Sequence, residues 1–163
     1  MTGHGRARPA RGRVPAGDGT ATPGSLAVER RLTAVLGGWA AASVLVGGAL
    51  ALRPATRRFG RQTVAWGVVD GVIAAAGTAG RRRRGPTDPV RLRRVLRVNL
   101  AAGVGYVAGG LAAARSRRAR VRGWHADGVA VVVQGTALLA LDAWAERALT
   151  RALAGAPGPR GRP

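Results

Sequence analysis

Seven side chains able to donate, accept or carry charge stand inside long apolar runs: Gln62, Trp66 and Asp70 in one, Asn99 and Tyr106 in another, Gln134 and Asp142 in a third. Asp70 is the only charge among the 19 residues between Arg61 and Arg81. At about 1.5 Å per residue, a helix of that length crosses a hydrocarbon core of about 30 Å. A carboxylate at such depth costs about 2.5–3.5 kcal/mol on insertion scales, so it must face protein or water rather than lipid. Two roles compete for it. One is passage of a proton or small solute; the other is a hydrogen-bonded carboxyl that fixes helix register. Interhelical hydrogen bonds in bilayers average only about 0.6 kcal/mol, which is poor compensation for an Asp. A transport route, however, needs further titratable groups aligned across the bilayer, and the structural role is preferred on that ground.

Direction and depth bring these residues together. At about 100° per residue, Gln62, Trp66 and Asp70 fall within about 80° of one another, while Gly67, Gly71, Ala75 and Thr78 line the opposite face. Asn99, Gly103, Tyr106 and Gly110 share a polar face in the next run, with Ala101, Gly105 and Gly109 as a small-residue face suited to close helix approach. Asp127, Gln134, Leu138 and Asp142 stay within about 80° in the last. Helices that alternate in direction then place Asp70 with Tyr106 and Gln134 near mid-depth, and Asn99 with Asp142 toward one end. Tyr, Gln and Asn side chains can all donate to a carboxylate.

The same residues carry a resemblance. Gln62-x-x-x-Trp66-Gly67-x-x-Asp70, Asn99 with Tyr106 seven later, and Gln134-Gly135-x-x-Leu138-Leu139-x-x-Asp142 resemble a family of small bacterial four-span membrane proteins of unknown function, over about residues 59–145. The resemblance implies an integral membrane protein and brings no activity, catalytic residue or cofactor with it.

Four runs are available to position these groups. Residues 32–52 are an uncharged stretch of 21 fenced by Arg30, Arg31 and Arg53. The stretch is too long and begins too late for a cleaved leader with an apolar region of about 7–15 residues, although Ala49-Leu50-Ala51 imitates a cleavage site. Residues 62–80, 98–114 and 128–145 follow, with Gly85-Pro86 and Asp88-Pro89 breaking the chain between the second and third. The expected fold is all-α, a four-helix transmembrane bundle running up-down-up-down. Basic tails are expected at 1–29 and 148–163, rich in Arg, Gly and Pro and disordered.

The chain has 27 basic residues, every one Arg, against seven acids, for a formal charge of +20. With both ends cytoplasmic, eighteen Arg lie on the inner side and nine on the outer, the bias that the positive-inside rule favours. A location in the bacterial cytoplasmic membrane is therefore expected. Arg81, Arg82, Arg83 and Arg84 abut a span and read as an anchor for anionic lipid headgroups, worth about 1 kcal/mol per Arg. A nucleic-acid surface is disfavoured, because the few aromatics sit in or beside the spans rather than along the basic runs. Trp124 and Trp144 suit the membrane interfaces, whereas Trp39 and Trp66 read as packing residues.

Little else is equipped for chemistry. There is no Cys, and His4 and His125 are far apart, so neither a disulfide framework nor a metal cluster is expected. Gly103-x-Gly105-x-x-x-Gly109-Gly110 departs from the dinucleotide-binding spacing and has no strand and helix alternation around it. No catalytic site, metal or cofactor is expected. The preferred function is a structural or interaction module that self-associates or binds a membrane partner, with small-solute or proton passage around Asp70 as one alternative and a soluble basic nucleic-acid-binding protein as the other.

Overall fold

The computed structural model describes residues 21–122 and 124–155. Among them the chain is all helical: α1 (Pro23–Ala51), α2 (Arg57–Arg84), α3 (Pro89–Arg115), the six-residue α4 (Arg117–Arg122) and α5 (His125–Ala154). The four long helices are each long and apolar enough to cross a membrane. They extend past the apolar runs at both ends, so that 23–29 and 148–154, expected in the tails, are helical. The reason is local, because Arg is a good helix former and its long side chain lets the charged head reach water. The remainder of the expected tails, 1–20 and 156–163, falls outside the described residues.

Helix ends are set by turn chemistry rather than by charge. The Thr22 hydroxyl accepts from the Ser25 amide at 3.1 Å, ahead of Pro23 in the first turn of α1. Asp88 caps α3 through the Val90 and Arg91 amides, again followed by a Pro. Gly85, at φ 82° and ψ −173°, takes a positive-φ conformation open to glycine, and this stops α2. The chain therefore reverses over 85–88.

The long helices alternate in direction. The end of the bundle carrying the 85–88 turn, with the start of α1 and the end of α5, is termed the lower end. Two hairpin-like pairs build the bundle, α1 against α2 and α3 against α5, and α5 also meets α1 and α2. Glycines make both pairs tight: a Cβ at Gly60 would fall 2.5 Å from the Gly47 carbonyl oxygen, and one at Gly128 would fall 2.9 Å from that of Gly110. The small-residue face expected on the third span is not the packed one. Gly105 and Gly109 have nothing nearby, while Gly103 and Gly110, on the face expected to be polar, seat α5. Polar character and close packing share one side of α3 because α5 approaches from the direction of the cavity.

The distribution of polarity is inverted relative to a water-soluble bundle. Leu45, Val68, Val72, Val98 and Val104 point outward and are exposed, whereas Ser43, Thr63, Asp70 and Gln134 are buried. Such a surface suits contact with lipid tails. The most compact apolar cluster lies toward the lower end, where Val28, Leu92, Leu96, Ala145 and Leu149 join α1, α3 and α5.

Candidate functional site

The helices α2 and α3 stay apart at the backbone level, and a cavity of about 480 Å³ fills the space between them, α1 and α5. Asp70, Trp66, Asn99, Tyr106 and Asp142 line it, with Glu29, Arg81 and Thr87 at its lower end. Five of the seven expected polar residues therefore share one cavity. Trp66 and Tyr106 meet edge to face with ring centroids 5.4 Å apart, the arrangement aromatic quadrupoles favour. Asn99 is the polar neighbour of Asp142, and Asp70 and Asp142 line the same cavity.

Gln134 differs from expectation. It is buried, 1% exposed, yet it joins neither Asp70 nor Tyr106. Its Oε1 accepts from Trp39 Nε1 at 2.6 Å, and its Nε2 donates to Ser43 Oγ at 3.1 Å. The side chain is turned to α1 because α1 packs on that flank of α5, while the neighbouring Gly135 borders the cavity instead. Gln62 lies on the expected face of α2 but outside the cavity lining. Trp39, expected only to pack, is the donor that engages Gln134.

The acids divide sharply by their partners. At the upper end Asp127 pairs with Arg58 at 3.1 Å. At the lower end Glu146 pairs with Arg93 at 3.1 Å and Arg97 at 3.6 Å. Glu29, placed by sequence in the N-terminal tail, is largely buried and takes Arg81 at 3.8 Å, the Thr87 amide at 3.2 Å and the Thr87 hydroxyl at 2.7 Å. Arg81 also donates to Thr33 Oγ1 at 3.0 Å. It therefore turns into the bundle rather than outward, and only Arg82, Arg83 and Arg84 of the expected headgroup anchor are exposed. The signal that would have found this network is position: Glu29, Arg81 and Thr87 all fall at the lower end of an alternating bundle.

Asp70 and Asp142 stand outside this pattern. Neither has an ion pair among the described residues. Asp70 is 1% exposed, and its Oδ2 is buried without a hydrogen-bond partner, as is Trp66 Nε1. One unused acceptor and one unused donor thus sit a single turn apart on the α2 face that borders the cavity. Buried polar atoms are normally satisfied, and leaving one unmade costs about 1–3 kcal/mol. Among the described residues no cluster of His, Cys, Asp and Glu could hold a metal ion.

The search for similar proteins finds no matching curated protein and no matching solved structure. A family model does match, over residues 35–143, from the middle of α1 into α5 and including every cavity-lining residue from Leu36 to Asp142. The chain belongs to DUF6992, a family of unknown function.

Proposed function

We propose that this chain is a multi-pass protein of the bacterial cytoplasmic membrane, with both ends in the cytoplasm, and that its central cavity holds a small polar solute within the bilayer. It acts by binding, not by catalysis. The observation that carries the proposal is Asp70, 1% exposed on the cavity wall with Oδ2 unpartnered. If Asp70 served only to fix helix register, its carboxylate would be expected to bond a neighbouring helix, as Gln134 bonds Trp39 and Ser43.

The absence of native Cys makes the test direct. Single cysteines are introduced at Asn99 and Ala102, which line the cavity, and at Val98 and Val104, which point outward. A water-soluble methanethiosulfonate reagent should label the first pair in membranes and spare the second. Equal protection of all four would refute a polar, hydrated cavity. Release of the chain by carbonate would refute the membrane location itself. Reporter fusions at the two ends test the topology, and a periplasmic signal from either would overturn it.

A second reading, an interaction module that self-associates, has its own support. An open groove runs along the outside of α1 and α2, floored by Gly37, Ala41, Gly71, Ala75 and Thr78, and small residues let helices approach closely in lipid. Crosslinking in membranes that recovers monomer alone would remove it.

A further inference from the structure

The geometry points to a small amphipathic organic ammonium as the solute of the central cavity, with Asp70 as its counter-ion and Trp66 and Tyr106 as its aromatic rest. This inference depends on the cavity being a binding site and names what it binds.

The chain carries 27 Arg, yet Arg side chains reach Glu29, Asp127 and Glu146 and leave Asp70 and Asp142 alone. Two carboxylates facing one low-dielectric space repel each other, a strain that a bound cation relieves as a proton would. Arg81 and Arg91 line the cavity, but Arg81 is taken by Glu29 and Thr33 at the lower end, and neither Arg forms an ion pair with Asp70 or Asp142. Hydrogen bonding gives the second constraint. Asp70 Oδ2 requires a donor, which a protonated amine has, and Trp66 Nε1 requires an acceptor, which a hydroxyl or ether oxygen provides. The edge-to-face pair of Trp66 and Tyr106 supplies π faces, which attract a cation more strongly when it is desolvated.

The walls fix the rest of the ligand. Val69, Ile73 and Val95 line the cavity and are also exposed, so its α2–α3 side opens onto the apolar outside of the bundle. A solute entering there must carry apolar surface. The volume of about 480 Å³ falls within the range of about 300–1,000 Å³ usual for small-molecule sites. An inorganic divalent ion fits poorly, since calcium takes about six to eight oxygens and the part of the cavity around Asp70 offers two carboxylates, one amide and one phenol, the carboxylate of Glu29 at the lower end being taken by Arg81 and Thr87. A lipid headgroup amine is also a poor fit, because Asp70 lies roughly 12–15 Å from either end of the 62–80 run, well below headgroup depth.

The full chain in phosphatidylcholine nanodiscs is titrated with 2-amino-1-phenylethanol, which carries an ammonium, a neighbouring hydroxyl and a ring. The probe is followed by equilibrium dialysis. Its control is 1-phenylpropan-1-ol, in which a methyl group replaces the ammonium. Saturable binding of the amine is expected, with the alcohol failing to compete. Asp70→Asn, which preserves shape, should weaken binding about tenfold or more, because it removes one partner of a buried charge pair. Far-UV circular dichroism confirms that the variant folds. Ala102→Phe, which fills the cavity from its wall, should abolish binding without touching either acid.

If amine and alcohol bind equally and Ala102→Phe removes both, the cavity is a binding site and the ammonium assignment is overturned. If neither binds to any variant, the cavity reading fails with it. Undiminished amine binding by Asp70→Asn overturns Asp70 as counter-ion. A matching titration with phosphatidylethanolamine in the discs separates sources: competition by that lipid would reassign the ammonium to a headgroup, and unchanged affinity is expected.

Discussion

Replacing Gln134 by Leu should destabilise the bundle in a way that depends on Trp39. The native Gln134 side chain is 1% exposed and bridges α5 to α1 through Trp39 Nε1 at 2.6 Å and Ser43 Oγ at 3.1 Å. Leu has nearly the same volume, so packing changes little and the two bonds are the main loss. Each interhelical bond in a bilayer averages about 0.6 kcal/mol, with a maximum near 1.7. The orphaned donors add a further cost. Ser43 can return its hydrogen to a carbonyl one turn back in its own helix, but the indole N–H has no such local acceptor, and an unmade buried bond costs about 1–3 kcal/mol. The sum for Gln134→Leu is about 2–4 kcal/mol. In a Trp39→Phe background no indole is left to strand, and the same change should cost only about 0.6 kcal/mol, the Ser43 bond. Reversible unfolding in mixed micelles, titrated with dodecyl sulfate and followed by circular dichroism, measures both legs of the cycle. An equal cost in the two backgrounds would refute the claim that Gln134 acts through Trp39.

Three further outcomes are expected. Gly60→Ala should destabilise by about 1–3 kcal/mol by forcing α1 and α2 apart, since its Cβ would fall 2.5 Å from the Gly47 carbonyl oxygen, whereas Gly38→Ala, with open space around it, should be neutral or mildly stabilising in the same unfolding assay. Glu29→Gln weakens the hold on Arg81 and on the 85–88 turn; trypsin cleavage within Arg81–Arg84 should accelerate about tenfold, the loss of one charge-assisted bond, and an unchanged rate would show that the network does not restrain the turn. Asp70→Leu should favour insertion of the 62–80 segment by about 3 kcal/mol in a glycosylation-mapping assay while eliminating amine binding, and a variant that binds as well as the native chain would contradict the assigned role.

What could be read from sequence divides along a physical line. Four helices were legible because apolar runs are fenced by Arg, and depth was legible because rise per residue is fixed: Asp127 meets Arg58 at the upper end, and Asn99 neighbours Asp142 below it. Azimuth was legible only relative to each helix's own axis. Periodicity puts Gln134 near Asp142 on α5 but cannot say that α1 occupies that flank, and so the Trp39 partnership was hidden. Trp39 itself gives no angular signal, being one large residue in a run of small ones. Helix ends were obscured for a different reason. Arg fences mark where lipid contact stops, and helices continue through them until a residue such as Gly85 stops the backbone. Glu29 was missed because a charged residue ahead of an apolar run looks like a tail until its fold partners are known.

Attachment of α3 has a mechanical consequence. This helix is fastened to α5 along its length, and its apolar contact with α1 is confined to the Val28, Leu92 and Leu96 cluster at the lower end. The gap toward α2 is therefore governed by the angle at which the α3–α5 pair stands, with its apolar hold on α1 near Leu96. From there to Tyr106 is about 15 Å of helix, so a tilt of about 5° carries the phenol ring about 1.3 Å, close to the radius of a water molecule. Guests of different girth can thus be met by swinging two joined rods as one body, leaving the glycine-fitted contacts inside each pair undisturbed.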